Sequence, residues 1–314
     1  MATIYAEAVM AQKYKTLDAN NTVTGGPVYY IKAAFKGNFG KFLAASFAVF
    51  IVLALGFMGN AVQSNSIADA FNRAFGINPI IIGIILAILS YLVFSGGMSR
   101  IAKVTELIVP IMALFYIVGS LIVILVNYQN IPLAFYEIVV GAFNPQAIAG
   151  GVIGATVKTA MVKGVARGLF SNEAGMGSTP HAHALADVEK PHDQGVVAMI
   201  GVFIDTFIVL TMTALVVIST LYAGNGPLAA GAAEGISKTN MAQLAFSSVM
   251  GTTAGNLFVA LCLMFFAFTT IIGWNLFGKI NVIYLFGNIA DMLPVHGKRH
   301  FSLEFFTVRI LTAC

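Results

Sequence analysis

The sequence predicts an all-α membrane protein, and three observations carry that reading. Hydrophobic residues make up 58% of the 314-residue chain and charged residues only 10%, where a soluble domain carries roughly 25% charged residues. Mean hydropathy is +0.87. The apolar residues fall in long runs, and a bilayer core requires roughly 20 such residues per helix. In water, so few polar groups could not cover so much apolar surface; in lipid none needs covering.

Six runs reach spanning length: 42–70, 79–96, 107–128, 148–186, 196–221 and 241–277. The fourth is too long and too polar for one simple helix, since it holds Lys158, Lys163, Arg167, Glu173 and seven glycines. Shorter apolar stretches, 1–11 and 301–314, stand at the ends as partial spans. The loops are short, and the whole chain reads as a single multi-pass domain. Pro132 and the stretch 133–143 suggest a surface helix, and 222–240 a Gly- and Ala-rich outer connection. Glu7 and the lack of a basic start argue against a signal peptide.

Basic residues orient the spans, because cytoplasmic loops carry the excess of Lys and Arg. Lys13, Lys15, Lys32, Lys36, Lys41, Arg100, Lys103, Lys190, Lys279, Lys298 and Arg299 fall on one side, against Arg73 and Lys238 on the other. The richer side is expected to be cytoplasmic. Two cysteines, Cys262 and Cys314, supply no disulfide framework. No basic tract interleaved with aromatics points to nucleic acid, no phosphate-binding G-x-x-x-x-G-K-[ST] loop points to ATP, and no nucleophile–base arrangement points to an enzyme.

Candidate chemistry concentrates in the fourth span, GVARGLFSNEAGMGSTPHAHALAD from Gly164 to Asp187. Glycine is a poor helix former, and Gly168, Gly175 and Gly177 surround Ser171, Asn172 and Glu173. Irregular backbone at membrane depth is tolerated only where it lines a cavity or is buried in protein. A helix broken there exposes amides and carbonyls that bind a carboxylate or a cation. A plain loop after an ordinary helix, with Glu173 in solvent, fits the spacing equally well. An interruption between Phe170 and Gly177 is the expectation.

The run FAFTTIIGWN, Phe266 to Asn275, places Thr269 and Thr270 in an apolar helix. Hydroxyl oxygens suit a hard cation such as sodium, although threonines in helices more often bond back to the preceding turn. Trp274 is the sole tryptophan, either an interfacial anchor or a pocket wall. Asn60 and Gln63 share a face of the first full span, joining helices or touching substrate. Asp205 is an intramembrane carboxylate, a functional candidate by default, with a basic residue of the fourth span as a possible partner. His181 and His183 are two apart and face different ways on a helix, so a metal site is not expected.

RGLFSNEAGMGSTPHAHA, Arg167 to Ala184, resembles the signature of the alanine or glycine:cation symporter family, and AEAVMAQKYK with GGPVYYI, GNAVQSNSIA and FAFTTIIGWN agree. The resemblance covers nearly the whole chain. It implies sodium-coupled uptake of alanine or glycine across the plasma membrane of a prokaryote, with sodium as the coupling ion and no other cofactor. It also implies the amino acid–polyamine–cation architecture, a five-plus-five inverted helical repeat with its first and sixth helices broken. The fourth span then stands for the sixth helix, with its break near Ser171 to Gly175, and the sixth span stands for the eighth. Phe170, Ser171, Asn172, Gly175 and Trp274 become substrate-facing, and Thr269 and Thr270 sodium ligands.

Against this family pattern the architecture looks incomplete at both ends. The segment 1–11 covers roughly 16 Å as a helix, against a bilayer core of about 30 Å. The chain by itself is therefore expected to insert but not to transport. A channel or a helical scaffold without coupled transport is the alternative class; neither pore-lining repeats nor rings of like charge support a channel.

Overall fold

The computed structural model describes residues 1–17, 22–143, 162, 164, 168, 170–223, 226–228 and 240–287. The partial span expected at 301–314, most of the connection 222–240 and most of 148–169 lie outside the described residues. Lys158, Lys163 and Arg167 lie there too.

Within the described residues the chain is helical apart from short turns and one two-stranded antiparallel pair, β1 (Thr16–Leu17) with β2 (Val23–Thr24). The helices are α1 (Ala2–Lys13), α2 (Pro27–Ala34), α3 (Gly37–Phe75), α4 (Pro79–Phe94), α5 (Gly97–Val126), α6 (Ile131–Phe143), α7 (Pro180–His183), α8 (Pro191–Tyr222), α9 (Met241–Met250) and α10 (Thr252–Phe286). Among the described residues, four helical stretches are long and apolar enough to cross a membrane: α3, the 103–126 part of α5, α8 and α10. Helices α4 and α9 are apolar but shorter.

The termini follow local chemistry. Gly76 closes α3 at φ 69°, with its amide on the Asn72 carbonyl at 2.7 Å; a left-handed terminal residue is what glycine supplies cheaply. Two residues on, Asn78 caps α4 by accepting the Ile80 amide at 3.0 Å, with Pro79 at the first helical position. The stretch 241–277, expected as one span, is two helices. Gly251 at φ 84° separates α9 from α10, and α10 runs on to Phe286, so Lys279 is helical and not in a loop. Likewise Arg100 and Lys103 lie in the first turns of α5, which starts ten residues before the expected 107.

Among the described residues, three stretches have π geometry: Val52–Gly59 inside α3, and Ile204–Val209 and Ile218–Tyr222 inside α8. Such segments wind one extra residue into a turn and shift which side chains face a neighbour.

The chain forms two compact units, Met1–Ile111 with Glu173–Val202 and Leu263–Cys314, and Met112–Asn172 with Phe203–Cys262. In the first, the core gathers Ile51, Leu55, Ile67, Leu86, Ile271 and Ile272 around the buried Trp274. Here α3 and α10 meet through glycine: a Cβ on Gly56 would lie 3.5 Å from the Gly278 Cα. Small residues let helix backbones approach where lipid gives no hydrophobic drive to associate. One turn along, Gly59 leaves the space that the Trp274 indole fills. In the second unit Phe246 packs on Phe258 with ring centroids 4.8 Å apart, and Phe258 on Phe115 at 4.7 Å. Many large apolar side chains are exposed, including Phe42, Phe50, Met58, Ile80 and Ile88, as on lipid-facing surfaces.

An added Cβ at Gly59 would lie 2.6 Å from Trp274 Cζ3 and 3.1 Å from the Ala54 carbonyl. Gly59→Ala is expected to destabilise by about 1–3 kcal/mol, the usual cost of overpacking. Gly273→Ala, which meets nothing within 4 Å, is expected to be neutral or slightly stabilising. Thermal melts of the detergent-solubilised variants compare the two, and equal melting temperatures would contradict the packing assigned to Gly59.

Candidate functional site: a broken helix held by carboxylates

Residues Phe170 to Asn172 are helical, 173–179 are not, and α7 begins at Pro180. The interruption thus falls at the C-terminal part of the expected 170–177 window and two residues past it. Its backbone needs left-handed geometry three times over: Glu173 at φ 54°, Gly175 at 92° and Gly177 at 75°. Glycine adopts these angles freely, while a non-glycine residue there is uncommon. Glu173 is held in it by bonds at both carboxylate oxygens. Ser178 Oγ donates to Oε2 and Trp274 Nε1 to Oε1, each at 2.5 Å. Glu173 is therefore a half-buried structural acceptor, not a solvated loop residue.

The amides that the break exposes also have a partner. Gly175 N donates to Glu7 Oε2 at 2.9 Å, and Gly177 N to Glu7 Oε1 at 3.0 Å. Glu7 is 7% exposed on α1. The sequence offers it only as an argument against a signal peptide, yet an acid inside the apolar run 1–11 carries the same default significance as Asp205. Farther along α1, Gln12 Nε2 donates to the carbonyls of His183, at 2.5 Å, and Ala186, at 2.8 Å. Lys15 Nζ adds a bond to Ala186 O at 3.3 Å. Helix α1 thereby satisfies amides before α7 and carbonyls after it.

His181, fully buried, completes this unit. Its Nδ1 faces the Ser178 carbonyl at 2.7 Å and its Nε2 the Asn281 amide nitrogen at 2.8 Å. A carbonyl only accepts and an amide NH2 only donates, so the ring is the neutral Nδ1–H tautomer. Phe47 and Phe277 stack on it, with centroids 6.3 and 5.4 Å away.

The residues singled out from sequence divide between the two units. In the first, Trp274 is 3% exposed and joined to Glu173. Thr269 Oγ1 donates to the carbonyls of Phe265, at 2.9 Å, and Phe266, at 3.0 Å; Thr270 Oγ1 donates to Phe266 O at 2.8 Å. These are back-bonds to the preceding turn. A hydroxyl that donates its hydrogen still carries oxygen lone pairs, so the bonding is compatible with cation ligation without selecting it. Asn60 follows the π stretch of α3. Its Nδ2 donates to Gly56 O at 3.1 Å, while its Oδ1 is buried with no hydrogen-bond partner among the described residues. Gln63 is half-buried one turn on.

In the second unit Phe170 is 48% exposed. Ser171 Oγ donates to Asp205 Oδ2 at 3.3 Å, and Asn172 Nδ2 to Thr206 Oγ1 at 3.4 Å. Both acceptors sit in the first π stretch of α8. Asp205 thus bonds a hydroxyl; the basic residues considered as its partners lie outside the described residues.

The Glu173–Trp274 bond is expected to show in a double-mutant cycle of Glu173→Gln and Trp274→Phe. Hydrogen bonds to charged groups contribute about 1.5–3 kcal/mol, so a coupling above about 1 kcal/mol in thermal stability is the expected outcome. Additive effects would show the bond to be energetically idle.

The model of the sodium:alanine symporter family matches residues 1–304. A transporter of Haemophilus influenzae is 43% identical over 91% of this chain and 61% of its own length. The sodium/alanine symporter AgcS of Methanococcus maripaludis is 42% identical over 91% and 61%. The amino-acid carrier protein AlsT of Bacillus subtilis is 38% identical over 91% and 57%. The chain spans about three-fifths of the length of these curated relatives. A helical, apolar chain with a glycine-broken segment, matched over nearly all its residues, belongs to the sodium:alanine symporter family.

Proposed function

We propose that the intact protein is a symporter that carries alanine or glycine into a prokaryotic cell across the plasma membrane, coupled to sodium. The observation that carries this reading is the break at 173–179 within a chain of this family. A discontinuous helix concentrates backbone dipoles at a point where a small zwitterion and a cation can be bound without a fixed charge of their own.

In this reading the transporter core is one domain built on an inverted five-plus-five repeat, to which the described helices contribute. It works by alternating access around a mid-membrane site, and the inward sodium gradient drives uptake. Phe170, Ser171, Asn172, Gly175 and Trp274 face the substrate. Thr269 and Thr270 supply hydroxyl oxygens to sodium, a hard cation that prefers such ligands. The Oδ1 of Asn60, buried and without a donor among the described residues, suits an ammonium group or a cation, because a buried acceptor without a donor is costly. Gln63 and Asp205 are the remaining polar groups of the spans. Relatives named for sodium with alanine support the substrate class; another is named as a probable sodium/glutamine symporter.

The experiment is uptake of labelled alanine and glycine into proteoliposomes with and without an inward sodium gradient. Sodium-driven accumulation is expected; gradient-independent equilibration would favour a channel, and no flux a scaffold. Within the same assay, Thr270→Ala is expected to raise the sodium concentration for half-maximal uptake at least about tenfold, a hydroxyl ligand being worth about 1–3 kcal/mol. The alanine KM at saturating sodium is expected to move less than about threefold. Unchanged sodium dependence would remove Thr270 from the cation site.

A further inference from the structure

We propose that Glu7 is the positioning residue of the broken helix: it occupies the Gly175 and Gly177 amides itself, keeping them from substrate, and so fixes the turn that holds Glu173 on Trp274. The functional half of this proposal rests on the transport reading above; the structural half does not.

The two amides converge on one carboxylate, one oxygen each, at 2.9 and 3.0 Å. This is a two-point bond to a charged acceptor, the strong class of hydrogen bond. Both donors belong to glycines in left-handed geometry. At Gly177 a side chain would meet Phe47 at 2.9 Å, so the donor cannot swing away and keep its packing. Glu7 is fixed in turn, because α1 grips the far side of the same segment through Gln12 on the His183 and Ala186 carbonyls. Tyr5 Oη contacts His192 Nδ1 at 2.7 Å at the start of α8. Helix α1 therefore holds the segment from 175 to 192 at three separated points.

The consequence concerns the substrate. A carboxylate arriving from solution would find these two N–H groups already bonded to a buried carboxylate of the same compact unit. It would have to displace Glu7 and leave that charge without donors in a dry interior, which is expensive. The substrate carboxylate is therefore bound by other donors. Gly175 contributes the absence of a side chain at the site, and its amide stays on Glu7. Glu173, between the last helical residue and Gly175, takes its orientation from this clasp and passes it to the Trp274 indole.

Two measurements on the intact protein test this. The first is hydrogen exchange across 173–179. The Gly175 and Gly177 amides are expected to be protected without substrate and to stay so with saturating alanine and sodium. Protection that appears only with alanine would overturn the proposal, since the substrate would then be the acceptor. This arm needs no variant and remains informative if alanine does not bind. The second uses Glu7→Gln, which keeps the shape but offers a donor where one amide needs an acceptor. With 5-fluorotryptophan incorporated and the Trp274 resonance assigned by Trp274→Phe, E7Q is expected to shift or broaden that fluorine signal. Maximal uptake is expected to fall at least tenfold while the alanine KM changes less than threefold, and Glu7→Asp, which retains both oxygens, recovers part of the rate. An unmoved fluorine signal would overturn the clasp. A KM rise matching the loss of rate would make Glu7 a substrate ligand. Absence of sodium-driven uptake in the wild type would count against the transport reading alone.

Discussion

A helix that opens inside a bilayer must hand its released amides and carbonyls to something, because no water is there to take them. Each one left bare costs several kcal/mol by the usual transfer scales, roughly 2–7 kcal/mol. In this protein the released groups go to side chains of α1 and of the residues just after it. Glu7 of α1 takes two amides ahead of α7, Gln12 of α1 takes carbonyls at its end and behind it, and Lys15, two residues past α1, adds a bond to one of those carbonyls. With those groups settled, three left-handed residues can persist within five positions, and Glu173 can be held where helical backbone would not place it.

The rest of the first unit is arranged to receive that turn. Trp274 is brought to Glu173 because α10 passes close to α3 at Gly56 and Gly278, and because Gly59 vacates the indole's volume. Asn281, two turns along α10, reaches His181 just after the break. One helix therefore touches the broken segment before and after its turn, through an indole and an amide, each donating to a fixed acceptor. The same helix carries Thr269 and Thr270 one turn before Trp274. The proposed cation ligands and the proposed pocket wall thus share one helix that is also bonded to the broken segment, which is the arrangement a pre-organised site requires.

Much of this was legible in the sequence. Hydropathy alone gives a helical membrane chain, and glycine density gives the location of the break to within three residues at its start and two at its end. The limits have physical causes. Hydropathy averages over a window and cannot see Gly251, a single left-handed residue that divides an otherwise uniform apolar run, nor that Arg100, Lys103 and Lys279 continue helices past their apolar part. Spacing placed Glu173 beside the break but could not say whether it faced solvent, because its partner Trp274 is 101 residues away. Glu7 was open to inference as an acid in an apolar helix, but the amides it serves are 168 and 170 residues distant. The back-bonds of Thr269 and Thr270 were foreseeable from local rules, and those rules leave the oxygens' second role undecided.

The most direct measurement of the central claim is an experimental structure of the intact protein with alanine and sodium bound, at a resolution that places carboxylate oxygens. On the present account Glu7 remains within about 3 Å of the Gly175 and Gly177 amides, and the alanine carboxylate lies on other donors. A bound alanine whose carboxylate sits on those two amides, with Glu7 turned away, would contradict it.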